Sequence, residues 1–336
     1  MVPPATRDSR SPPITFPAGE GPYLLVMVDA EEEFDWATFS SSAISVGAMR
    51  HQERAQRIFD RHGLVPTYVV DYPVATQPDG YRPLREFFDS GRCEIGSHLH
   101  PWVNPPIEEE ICVANSFPGN LPARLEREKL RRLTGVIEDA FGVRPVVYRA
   151  GRYGSGPNTA GILADLGYRI DSSVLPLSDQ RPGHGPDYRT RTADLHWFGP
   201  GERLLEIPVT ADVCGLLGTA GRRVYPVIAA PLGRALRVPA VLARLRLVER
   251  IVLSPEGVSL AEAKRLTRAL LARGHRVFLV SYHSPSLEPG HTPYVRSAAD
   301  LETFLAWLEG YVAFFLDELG GSPSTPGRIR ARAEDL

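Results

Sequence analysis

Seven short apolar, β-prone runs recur along the chain, most of them preceded by a helical stretch, and each is followed within a few residues by a group able to do chemistry. "YLLVMV" runs into Asp29, "VPTYVV" into Asp71, "PVVY" into Arg149, "YRI" into Asp171 and "RVFLVSY" into His283; "CEIG" and "RLLEIPV" stop shortly before His98 and Asp212. Strands that alternate with helices predict a mostly parallel sheet, because parallel neighbours need a crossover connection. In parallel α/β folds and barrels, functional groups collect at the carboxyl ends of the strands. The polar residues named above stand where that rule expects a site.

The intervening stretches carry helix signals. "RPLREFFDSG" puts Leu84, Phe87 and Phe88 on one face and stops at Gly91, while "SLAEAKRLTRALLARG" opens with a Ser259/Glu262 capping box and closes on Gly274. Neither an internal repeat nor a Gly/Ser linker divides the chain, so one domain over residues 21–320 is expected. Residues 1–20 and 321–336, rich in Pro, Ser, Gly and charge, read as a disordered N-terminal tail and a flexible C-terminal tail. A net charge of -2 gives no general attraction to nucleic acid. Three cysteines without Cys-x-x-Cys spacing indicate neither a disulfide framework nor a thiolate zinc site. No signal-peptide pattern and no long apolar run is present, so a soluble cytoplasmic protein is expected; the oligomeric state is not legible.

Two stretches raise the question of a metal. In "EIGSHLHPW", His98 and His100 are two apart at the end of an extended run, so both can face the same way and converge on one ion. In "VMVDAEEEFDW", a strand runs into Asp29, Glu31, Glu32 and Glu33, a stack of carboxylates that is costly unless a cation or solvent relieves it.

Together with "YRAGRYG", "LLEIPVT" and "LVSYHSPSLEPGHTPYV", in that order along the chain, these stretches resemble the polysaccharide deacetylase family, the carbohydrate esterases of NodB homology. The resemblance implies a distorted (β/α)7 barrel and metal-dependent hydrolysis of N- or O-acetyl groups on a saccharide or glycoconjugate. It implies Asp29 as general base, Glu31, His98 and His100 as ligands of one divalent ion, most simply zinc, with cobalt, manganese or nickel as alternatives. Arg149 would orient Asp29, and His283 would protonate the leaving group. Trp102 and the backbone N–H near Tyr153 are candidate substrate or oxyanion contacts, and Asp212 or Asp171 a candidate partner orienting His283. Two features depart from the family pattern. A Glu stands where its first motif has a second Asp, leaving Glu32 and Glu33 open as ligands, and its histidines are about one helical turn apart rather than two residues. A non-sugar amide or ureide substrate, or an inactive sugar-binding module, are the alternative functions.

The stretch 224–253 fits none of these motifs. Val238, Val241, Leu242, Leu245, Val248 and Val252 form an apolar stripe at helical spacing with arginines among them, which predicts a helix packed on the barrel; a lid or a membrane-surface contact is the other reading.

Overall fold

A computed structural model describes residues 12–336 apart from 36–37, 231–232 and 234–235. Trp36, part of the first motif, lies outside the described residues.

All seven expected strands form: β1 (Tyr23–Ala30), β2 (Thr67–Val70), β3 (Glu94–Leu99), β4 (Val147–Ala150), β5 (Ile170–Asp171), β7 (Leu204–Glu206) and β10 (Val277–His283). They pair in the order β10-β1-β2-β3-β4-β5-β7, every pair parallel, with the short β6 (His196–Phe198) added antiparallel outside β7. The curl does not close by a β7–β10 ladder. The gap is bridged by the chain after β7 and by an antiparallel pair, β8 (Ala211–Cys214) with β9 (Glu249–Val252). Thr210 Oγ1 accepts from Leu279 N at 2.8 Å, and its carbonyl accepts from Leu253 N at 2.8 Å. The result is a distorted α/β barrel, as the family resemblance implies, built on the mostly parallel sheet that the strand pattern predicts.

Because side chains alternate along a strand, the sheet has two apolar faces. Leu24, Val26 and Val28 of β1, Tyr68 and Val70 of β2, and Phe278, Val280 and Tyr282 of β10 point outward into a core shared with the surrounding helices. Leu25, Met27, Val69, Val147 and Leu279 point inward and fill the barrel. The outer layer includes the helices Pro78–Asp89 and Leu260–Ala272; the latter carries the expected Ser259/Glu262 capping box. Among the described residues no helix is long and apolar enough to cross a membrane.

The inward parity has a functional consequence. Continuing the inward set to the carboxyl ends reaches Asp29 on β1, His98 on β3, Arg149 on β4, and Ser281 and His283 on β10. At that end of the barrel, apolar filling gives way to ionisable groups.

Both chain ends depart from expectation. Residues 321–336 are not a loose tail. β11 (Ser322–Pro323) pairs with Tyr23 and Leu24, the part of β1 that β2 does not reach, and Thr325 caps the helix Pro326–Glu334. That helix inserts Ile329 into the barrel interior beside Phe16. The polar composition concealed one apolar face: Ile329 and Ala333 are buried while the arginines face outward or pair with Glu20 and Glu334. Within the expected N-terminal tail, Ile14 donates its N–H to the Leu195 carbonyl and Phe16 packs on Tyr23. Residues 1–11 lie outside the described residues. Ile329→Ala is expected to destabilise the protein by about 2–5 kcal/mol, as deletion of a buried side chain does, measured by urea unfolding; an unchanged midpoint would restore the tail reading.

Candidate metal centre

Three buried side chains meet at the carboxyl end of the barrel. Glu31 leaves the end of β1, and its Oε2 stands 3.5 Å from His98 Nε2 and 3.5 Å from His100 Nε2. His98 belongs to β3 and His100 follows it, so strand alternation turns both rings to the same side, with centroids 4.5 Å apart. The two-residue spacing therefore does what a helical turn does elsewhere: it brings two imidazoles to one point.

The atoms behind the cluster prepare it for a cation. His98 Nδ1 lies 3.0 Å from the Arg149 carbonyl, which can only accept, so Nδ1 carries the proton and Nε2 keeps its lone pair. His100 Nδ1 is held by Glu32 Oε2 at 2.8 Å, leaving its Nε2 directed at Glu31. Burial lowers the pKa of His98 and brings His100 down to about 4, so both rings are neutral, as ligands must be. Burial also pushes Glu31 up to about 7, and its Oε1 has no hydrogen-bond partner. Two neutral imidazole nitrogens facing a carboxylate with an orphaned buried oxygen fit a divalent cation, which would satisfy all three at once.

The three consecutive glutamates divide their work. Only Glu31 faces the histidines. Glu32 lies behind them, accepting from His100, from Trp102 Nε1 at 2.8 Å, and donating its N–H to Asp71 Oδ2 at 2.7 Å. Glu33 turns away: its Oε1 accepts from Ala48 N and its Oε2 from the Ser45 hydroxyl.

Beside the cluster stand two further pairs. Arg149 donates from Nη1 to Asp29 Oδ1 at 2.6 Å, and its remaining bonds go to Ser172. Burial works to raise Asp29, but the Arg149 guanidinium, with protonated His283, outweighs it and holds the acid below its ordinary value. His283 Nε2 is 3.8 Å from Asp29 Oδ2, while its Nδ1 binds Glu256 Oε2 at 2.7 Å. Burial opposes charge on His283, yet Glu256, Glu31 and Asp29 push it up to about 10.

These groups open into a cleft of about 370 Å³ whose walls include Phe34, Phe39, Leu175, Tyr153 and Tyr294. Tyr153 holds a left-handed φ of 57°, costly for a tyrosine, and its carbonyl accepts from Tyr188 Oη. Close approach is built into the preceding turn: a Cβ on Gly151 would stand 2.4 Å from the Leu99 carbonyl oxygen and 2.6 Å from His100 Cδ2.

No protein-family model matches the chain, and no curated protein matches it. Solved structures do. A protein from Mycobacterium smegmatis assigned as a polysaccharide deacetylase is 19% identical, with 98% of this chain and 96% of that one covered at a TM-score of 0.51. The chain has the NodB-like polysaccharide deacetylase fold. A family 4 carbohydrate esterase from Streptomyces lividans, solved with acetate, is 11% identical, with 90% and 92% of the two chains covered and a TM-score of 0.42. A CE4-family pseudoenzyme from Bacillus anthracis is 10% identical, with 95% and 66% covered and a TM-score of 0.44.

On this NodB-like frame Asp29, Glu31, His98, His100, Tyr153 and His283 line one cleft, and Arg149 stands behind it, buried against Asp29. Trp102 does not line it. Its ring is buried and stacks on His100 at 4.2 Å while its N–H binds Glu32, because Pro101 turns the chain away just after the strand; it braces the histidine instead of meeting a substrate. Asp212 is likewise elsewhere, paired with Arg273 and Arg222, since β8 leaves the barrel wall. Asp171 accepts from the Ser173 and Ser155 hydroxyls and does not hold His283. The partner of His283 is Glu256, in the loop after β9, which no sequence signal marks because only the tertiary path brings it across 27 positions. Stretch 224–253 is not one helix. A helix spans Val238–Arg244, Arg246 turns left-handed at φ 54°, and Glu249–Val252 is β9, so ladder pairing with β8 prevails over helical periodicity.

Glu31→Gln is expected to lose the bound metal of purified protein, whereas Glu33→Gln keeps about one ion per chain; elemental analysis reads both, and equal loss would reject the assignment. His283 acts protonated if it is an acid, so activity falls as pH rises through its pKa. Removing the Glu256 carboxylate lowers that pKa, so Glu256→Gln moves the alkaline limb of the kcat/KM profile to lower pH by more than about one unit, with metal content unchanged.

Proposed function

We propose that the chain is a metal-dependent hydrolase that removes an acetyl group from a saccharide or glycoconjugate. The observation that carries this reading is the convergence, in one cleft, of the Glu31–His98–His100 ligand set with an ionised Asp29 and a protonated His283. Two imidazoles and one carboxylate suit zinc, and also cobalt, manganese or nickel. A divalent ion held by them would acidify water and polarise the acetyl carbonyl.

The chain's own groups supply the rest. Asp29, kept charged by Arg149, accepts the proton of the attacking water at Oδ2, the oxygen not engaged by the guanidinium. The backbone N–H near Tyr153, a residue of the cleft wall, would meet the developing oxyanion. His283 Nε2 gives its proton to the departing sugar nitrogen or oxygen, and Glu256 holds the ring by Nδ1 so that Nε2 faces the cleft. Aromatic walls from Phe34, Phe39 and Tyr294 offer apolar faces of the kind on which a sugar ring stacks.

Asp29→Asn and His283→Ala should each lower acetate release from acetylated chito- or xylo-oligosaccharides by roughly 10²–10⁴-fold, with unchanged circular dichroism. Undiminished turnover in both would end the scheme. Absence of acetate release from every acetylated saccharide by metal-loaded wild-type protein would remove the substrate class.

A further inference from the structure

Between β8 and β9 the chain inserts residues 215–248, for which the hydrolytic reading has no use. The inner side of this insertion is anchored. Val213, Val248 and Leu177 are buried together, with Tyr225, Ile228 and Leu242 packed against them. Its outer side is not. Of the six large apolar side chains more than half exposed among the described residues, five are here: Leu216, Val227, Leu236, Val241 and Leu245, from 54% to 82% exposed. The sixth is the C-terminal Leu336. Single exposed apolar residues are ordinary, but five gathered on the one insertion 215–248 mark a docking face.

Charge says what kind of surface covers it. Residues 216–250 contain seven arginines and one glutamate, a net +6 in a chain whose total is -2. Arg223, Arg237, Arg244 and Arg246 are exposed and have no carboxylate partner among the described residues. A purely apolar partner would strand these guanidinium groups. A bilayer rich in anionic lipid takes both: side chains such as Leu216 and Val227 enter the acyl boundary while the arginines stay at the phosphate level. The helices Gly218–Ile228 and Val238–Arg244 are too short to span a bilayer and suited to lying in its interface.

We propose that the outer face of the 215–248 insertion docks the protein on the surface of an anionic lipid bilayer. The docked unit and the cleft share a wall. Arg250 Nε donates to the Pro176 carbonyl at 2.9 Å and Leu177 joins the insertion's core, while Leu175 of the same loop lines the cleft. A substrate carried at the membrane surface would thus meet a cleft already held there. The proposal itself rests on the outer face alone and stands apart from the hydrolytic reading.

Flotation of the full chain with vesicles tests it, using equimolar phosphatidylcholine and phosphatidylglycerol against phosphatidylcholine alone. Binding to the mixed vesicles, at least roughly tenfold weaker to the neutral ones and released by high salt, is expected. A variant carrying Arg223→Glu, Arg237→Glu and Arg244→Glu, and a second carrying Leu216→Ser, Val227→Ser and Leu236→Ser, should each weaken binding by about tenfold or more. Unchanged circular dichroism and metal content would show that both variants are folded. Three results overturn the proposal: no flotation with the anionic vesicles, binding undiminished in both variants, or a dimer in sedimentation velocity that the serine variant dissociates while wild type ignores vesicles, which would give the face to a second copy of the chain.

Discussion

The ion pair between Arg149 and Asp29 ties the site to the fold. Both side chains are buried, and the guanidinium reaches from β4 to the end of β1 while also bonding the carbonyl and hydroxyl of Ser172, just past β5. The carbonyl of the same residue holds His98 on β3. One residue thus links β1, β3, β4 and the end of β5 at the level where the barrel's filling changes from apolar to ionisable. Such a pair adds little net stability, because desolvation offsets its attraction, but removing one partner leaves a buried charge at a cost of about 3–5 kcal/mol. What it contributes is a fixed, ionised carboxylate where water has little access.

The neighbouring carboxylates show how the same residue type takes different roles by position. Glu31, Glu32 and Glu33 are consecutive, yet backbone alternation at the end of β1 sends them to three environments: the histidine cluster, the support behind His100, and the amino end of the short helix Gly47–His51. Burial raises the pKa of both Glu31 and Glu32. Only Glu31 has an orphaned oxygen, and only Glu31 faces two neutral imidazoles. Trp102 and Glu32 together immobilise His100 from the back, fixing the ring with its Nε2 toward Glu31.

Much of the fold could be read from the chain in order. The seven strands, their parallel sense and the capping box at Ser259 follow from local pattern, and local pattern survives folding when each strand is buried on both faces. Legibility failed where distant segments compete. Residues 321–336 read as a tail because their single apolar face, Ile329 with Ala333, is too sparse to register until the barrel interior is there to receive it. The stripe from Val238 to Val252 read as a helix because helical spacing and a turn followed by a strand share the same apolar positions; pairing of β9 with β8 chose between them.

For the site, the sequence by itself determined the inventory and the side: Asp29, His98, Arg149 and His283 lie on the inward parity of strands at their carboxyl ends, and a strand's two-residue period leaves no other choice. Only the tertiary structure decided the pairings. Which glutamate faces the histidines, that Glu256 and not Asp212 holds His283, and that Trp102 lies behind His100 all depend on loop paths. A hydrogen bond selects partners within about 3 Å regardless of how many residues separate them along the chain.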